Sequence, residues 1–111
     1  MKFGILLTSG VERRDLYTAS RLARAALGQG HEVKMFVMGD GVQHLVEHPK
    51  NQSVGELRWL LDAGVEVTCC GVSSELRGLA QNRLVPGVGW GNQHDHACLV
   101  NWSDRYLAFG P

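Results

Sequence analysis

The chain has 111 residues, 44% of them hydrophobic and 20% charged. That is ordinary globular composition, with room for a single domain, 1–111, built on one core. Eleven Lys and Arg balance eleven Asp and Glu, so no basic field marks a direct nucleic-acid binder. No stretch approaches the roughly 20 apolar residues that cross a bilayer, and the apolar start of the chain is too short for a signal-peptide core. The expectation is a cytoplasmic protein with no membrane span.

Residues 2–8 are aliphatic on both parities, which suits a strand buried on both faces. Ser9-Gly10 is a turn. Over residues 15–27, Leu16, Ala19, Ala23, Ala26 and Leu27 recur at helical spacing, with Arg13, Arg14, Arg21 and Arg24 turned mostly to water. Gly28 and Gly30 stop that helix. Residues 32–38 form a second strand, Gly39-Asp40-Gly41 a sharp turn and residues 42–47 a short helix. Ser53 and Glu56 have the spacing of a capping box, which opens a helix to about Ala63. Residues 65–70 form a third strand that ends on Cys69-Cys70, and Ser73 or Ser74 is expected to cap a helix through about Leu79. Residues 84–91 are rich in Gly and Pro and leave room for a short strand at most. Asn92 or Asp95 opens a last helix through Cys98, Leu99 and Trp102, and residues 105–109 are a final strand.

Strands alternating with helices predict an α/β fold, a three-layer α/β/α sandwich around a mostly parallel sheet of about five strands. Ligand chemistry in such sheets lies at the carboxyl ends of the strands. Ser9-Gly10, Gly39-Asp40-Gly41 and Cys69-Cys70-Gly71 should therefore line one edge.

Three cysteines, two of them adjacent, with no CxxC and no Cys/His quartet, point to reduced thiols and no structural zinc. Cys70 stands between a strand end and a helix start, where free amide N–H groups favour the thiolate, the nucleophilic form. Its plain alternative is a small buried hydrophobe. Cys69 should point to the opposite face as core packing, and Cys98, inside a helical pattern, is also expected in the core. Arg77 is either a charge that stabilises a thiolate or persulfide, or a solvated surface arginine. Asp40 and Gly41 either make a tight turn or bring Asp40 to the thiol. Ser9, Gly71 and Ser73 complete the candidate pocket. Thr8-Ser9-Gly10 begins like an anion-binding loop but lacks the GxGxxG and P-loop patterns, so a nucleotide is not expected. His44 with His48, and His94 with His96, each lack a third metal ligand. They are expected on the polar surface, with His94 near the pocket edge. Trp90 and Trp102 read as core or subunit-contact residues, and self-association is expected.

Three features resemble the DsrE/DsrF-like family, which includes sulfur-relay subunits of the TusD type. They are the opening strand Phe3-Gly4-Ile5-Leu6-Leu7-Thr8 with a helix ending in Gly30-His31, the turn Met38-Gly39-Asp40-Gly41-Val42, and Cys70 followed by Leu76-Arg77-Gly78. The family's paired arginines stand here as Leu76-Arg77, Gly71 replaces a small residue after the cysteine, and the segment after Gly78 is altered. The resemblance implies a Rossmann-like fold, assembly as a homo-oligomer (trimer or hexamer), no cofactor, and protein partners that give and take sulfur. It also implies that Cys70 accepts a sulfane sulfur as a persulfide. Two other readings stay open: a non-enzymatic oligomeric module that binds a small ligand or partner at the strand edge, and a redox sensor using Cys69 and Cys70.

Overall fold

A pleated strand sends successive side chains to opposite faces, and the fold follows from that alternation. The computed structural model describes residues 1–110; Pro111, which closes the expected domain, lies outside them. Strands β1 (Lys2–Leu7), β2 (Glu32–Val37), β3 (Glu66–Cys70), β4 (Gly89–Gly91) and β5 (Arg105–Phe109) form a five-stranded sheet in the order β4-β3-β2-β1-β5. Every pairing is parallel. Helices α1 (Asp15–Gly28), α2 (Val54–Asp62), α3 (Gly71–Leu76) and α4 (Gln93–Trp102) lie between the strands, with a 3₁₀ segment over Gly39–Leu45. The expected single-domain α/β sandwich is the observed one.

Ile5 and Leu7 of β1, Val33, Met35 and Val37 of β2, and Val67 and Cys69 of β3 face one side. Alanines and Leu16 of α1, with Leu57 and Leu60 of α2, close over them. Leu57 and Leu60 are fully buried, and each contributes about 1.5–3 kcal/mol relative to exposure. The other side is thinner: Phe36 of β2 and Cys70 of β3 are buried with Leu99 of α4, and Leu6 and Met38 pack at the margin.

Several expectations are corrected. Ser53 has helical backbone angles and caps nothing. Its hydroxyl bonds His44, and Glu56 reaches Ser20 and Arg24 instead of the helix start. The capping box belongs to α4: Asn92 Oδ1 accepts from the N–H groups of His94 and Asp95, and Asp95 accepts from the Asn92 N–H. Cys70 itself is the N-cap of α3, so that helix starts at Gly71, ahead of Ser73 and Ser74, and it ends at Leu76. Cys98 is exposed, not in the core, because Leu99 is the one residue of α4 that is buried. His44, expected at the surface, is buried.

Candidate functional site

β3 ends on two thiols that point opposite ways. Cys69 lies in the large core, fully buried, with the Ser74 hydroxyl donating to its sulfur at 3.6 Å. Burial pushes the Cys69 thiol up, more than that hydrogen bond offsets. Cys70 keeps 5% of its surface exposed on the thinner side. Burial pushes the Cys70 thiol up as well. Hydrogen bonds from the Ser73 hydroxyl, the Ser73 N–H, the Gln93 amide and the Val72 N–H outweigh it and hold the thiol below its ordinary value. α3 has six residues, so it acts through these local donors more than through a long dipole.

The turn after β2 joins the same group. The Gly39 N–H donates to Ser73 Oγ at 3.0 Å, which leaves the Ser73 proton for the Cys70 sulfur. Arg77 turns toward Asp40: its Nε and Nη2 donate to Asp40 Oδ1 at 3.1 and 2.9 Å, and its Nη1 donates to the Ser73 carbonyl at 3.0 Å. Arg77 thus ties α3 to the 3₁₀ segment through an exposed pair that contributes at most about 1 kcal/mol. Two glycines are required by close approach. A Cβ on Gly41 would meet the Leu7 carbonyl oxygen at 2.6 Å, and one on Gly71 would lie 2.5 Å from Trp90 Nε1. Trp90 therefore seals the residue next to the thiol.

Ser9 shares the carboxyl edge but belongs to another network. Its hydroxyl donates to Asp15 Oδ2 at 2.6 Å, and its carbonyl lies 3.1 Å from His44 Nε2. A carbonyl only accepts, so Nε2 carries the proton, and Nδ1 accepts from the Ser53 hydroxyl at 2.7 Å. Burial pushes His44 down, consistent with this neutral tautomer.

Gln93 is not among the residues the sequence singles out, and His96 is expected there only as a polar surface residue paired with His94. Gln93 Nε2 lies 3.8 Å from Cys70 Sγ and 3.7 Å from Met38 Sδ. Gln93 Oε1 lies 2.9 Å from His96 Nδ1, and His96 Nε2 lies 2.7 Å from the Tyr106 hydroxyl. The signal available was Gln93-x-x-His96, an i,i+3 pair that shares one helix face. His94, expected near the pocket, instead approaches the exposed Cys98 Sγ at 3.6 Å. Among the described residues no group of three or more His, Cys, Asp or Glu gathers where it could hold a metal.

A cavity of about 870 Å³ opens elsewhere, beside α1 and α2, among Arg13, Arg14, Tyr17, His44, Lys50 and Glu56; a smaller one of about 130 Å³ adjoins Phe36, Thr68 and Cys98. Cys70 lines neither. It is a buried thiol with 5% of its surface exposed.

Comparison with known proteins agrees with this architecture. The model of the DsrE/DsrF-like family matches residues 1–109. An uncharacterized protein of Methanopyrus kandleri, MK0008, is 38% identical over 102 residues, covering 84% of this chain and 80% of the relative. An uncharacterized protein of Methanocaldococcus jannaschii, MJ0989, is 32% identical over 117 residues, covering 98% and 100%. Among solved structures, the YchN protein of E. coli superposes with a TM-score of 0.86 at 24% identity, covering 98% of this chain and 99% of that one. MTH1491 of Methanobacterium thermoautotrophicum, a protein of unknown function, superposes at 0.80 with 16% identity, covering 97% and 98%.

Proposed function

The chain belongs to the DsrE/DsrF-like family, and from that premise we propose that it is a sulfur-relay protein with Cys70 as the carrier. The Cys70 thiolate attacks the outer sulfur of a donor persulfide, R–S–SH. A Cys70–S–SH bond forms, the donor S–S bond breaks, and the donor leaves as its thiolate. An acceptor thiolate then attacks the outer sulfur of Cys70–S–SH, takes it and restores the Cys70 thiolate. Both steps are thiol exchange, with no net redox change and no cofactor.

The observation that carries this reading is the environment of Cys70: the carboxyl end of β3, with donors from Ser73, Val72 and Gln93 favouring the anion. Such a thiol is the nucleophile that exchange requires. Beside it, Val72 and Leu76 of α3 are 63% and 79% exposed, an apolar margin of the kind a protein partner covers. Donor and acceptor are accordingly proteins that dock at this edge. Ser9 and Asp40 shape the edge without touching the sulfur, Gly41 and Gly71 permit its close packing, and Arg77 braces α3. Self-association as a trimer or hexamer is part of the proposal, supported by the exposed Tyr106 and Leu107 of edge strand β5. No helix of the described residues is long and apolar enough to cross a membrane, and the relay is assigned to the cytoplasm.

The 870 Å³ cavity favours a second reading, a small-ligand module. Intact-protein mass spectrometry separates the two after incubation with a cysteine desulfurase and cysteine. The relay predicts a reductant-sensitive gain of one sulfur atom, lost in Cys70→Ser and retained in Cys98→Ser. The Cys98 variant matters because that thiol is exposed. Equal gain in wild type and Cys70→Ser would refute the assignment.

A further inference from the structure

Gln93 presents two chemically different ends, and its neighbours settle which end faces the thiol. The nearest groups on one side are two sulfurs, Cys70 Sγ at 3.8 Å and Met38 Sδ at 3.7 Å. A thiolate and a thioether accept, so the amide NH₂ belongs on that side, one proton for each sulfur. The carbonyl end then needs a donor, and His96 Nδ1 stands 2.9 Å away. With Nδ1 protonated, the neutral imidazole accepts at Nε2, where the Tyr106 hydroxyl donates at 2.7 Å. The ring has little freedom to turn: it stacks on Phe36 at 4.9 Å between centroids and 5° between planes. The chain of donors runs from Tyr106 on β5, through His96 and Gln93 on α4, to the sulfur at the end of β3.

We propose that Gln93 is the residue through which α4 holds the Cys70 sulfur as an anion, and that His96 and Tyr106 are positioning residues that fix the Gln93 amide the right way round. The inference rests on the relay reading of Cys70 and deepens it. The thiolate is set by an amide from α4, the helix that covers its face of the sheet, in addition to α3, while Arg77 is committed to Asp40. The groups facing the sulfur are Ser73 and Val72 of α3, Gln93 of α4 and Met38 after β2. Without a correctly oriented amide, the carbonyl oxygen would face the thiolate and repel it.

The test is the pH profile of Cys70 alkylation by iodoacetamide in the full chain carrying Cys98→Ser, with the adduct located by mass spectrometry. Gln93→Leu removes a donor and should move the profile to higher pH, lowering the rate at pH 7 by about 3- to 10-fold. His96→Phe keeps a ring to stack on Phe36 but has no N–H, and should lower the rate by about 2- to 3-fold. His96→Asn, whose amide N–H overlays Nδ1, should restore the wild-type profile. An unmoved profile in a folded Gln93→Leu protein overturns the proposal. If that variant does not fold, Gln93→Glu replaces the donor with a carboxylate, and an unmoved profile there overturns it equally. Equal effects of His96→Phe and His96→Asn overturn the positioning role. Sulfur transfer is not part of this readout. A Cys70 that never loads sulfur but responds to Gln93 defeats the relay reading alone, whereas one that loads sulfur but ignores Gln93 defeats this inference alone.

Discussion

Cys69 and Cys70 are the same residue type one position apart, and the two faces of β3 give them opposite chemistry. The face of Cys69 is closed by α1 and α2 over a broad aliphatic layer. There the sulfur is deprived of water and its thiol is pushed up. The face of Cys70 is covered by the narrow stripe of α4, whose Leu99 is its one buried residue. Around that stripe polar groups reach the sulfur, and the thiol is pulled down. In the proposed relay the thin layer leaves room at the margin for donors and for a partner, while the thick layer buries the larger aliphatic core.

The comparison breaks first, and by the largest margin, if the thiols react alike. In Cys98→Ser protein, Cys70 should be alkylated on the order of a hundredfold faster than Cys69, which reacts only through local opening. Peptide mapping over time reads this directly, and parallel labelling of the two would erase the distinction. Next come the two layers themselves. Leu57→Ala, in the thick layer, should lower stability by about 2–5 kcal/mol. Leu99→Ala should fall at or below the bottom of that range, because its cavity opens toward solvent. Urea unfolding of both variants gives the difference, and equal losses would mean that the layers carry equal weight.

Smaller effects sharpen the picture at the carboxyl edge. Gly71→Ala drives a methyl against the Trp90 indole and should lower stability by about 1–3 kcal/mol, with a shift in tryptophan emission as Trp90 moves. His44 bears on pH dependence. The unfolded chain protonates it near its ordinary value of 6.5, but burial lowers that value in the fold. Below about pH 6.5 the unfolded state therefore binds more protons, so the stability His44 contributes near neutral pH is lost as pH falls, at up to about 1.4 kcal/mol per pH unit. His44→Gln should flatten the stability profile between pH 7 and pH 5 relative to wild type. Asp15 and Glu56 are both held below the usual carboxylate range, chiefly by the Ser9 and Ser20 hydroxyls. Their acid losses come at lower pH, which keeps the two effects apart.

The strands, the helices and the shared carboxyl edge were legible because each rests on local periodicity, on strand ends and on glycine punctuation. The errors occurred where a side chain chose a distant partner over a local one. Ser53 and Glu56 have capping-box spacing, yet His44 takes the serine hydroxyl, and Ser20 with Arg24 takes the glutamate. His44 sits in a 3₁₀ segment too short for periodicity to mark its buried face. Cys98 is exposed against expectation because Cys98, Leu99 and Trp102 fit more than one helical stripe, and the fold buries the one through Leu99. Gln93 and His96 were visible as an i,i+3 pair, but nothing in the chain tied that pair to Cys70.

The sequence by itself determined that Cys69 and Cys70 face opposite ways and that Cys70 ends at the carboxyl edge of a parallel sheet, because strand alternation and βαβ connection are local rules. Only the tertiary structure decided what covers each face. That required β5 to add beside β1 and α4 to cross over β1 and β2, so that Gln93 and Tyr106, 23 and 36 positions downstream of Cys70 in the chain, could join one hydrogen-bonded line ending at its sulfur. Hydrogen bonds form between groups that the fold brings within about 3 Å of each other, and neither periodicity nor composition encodes which distant residues those will be.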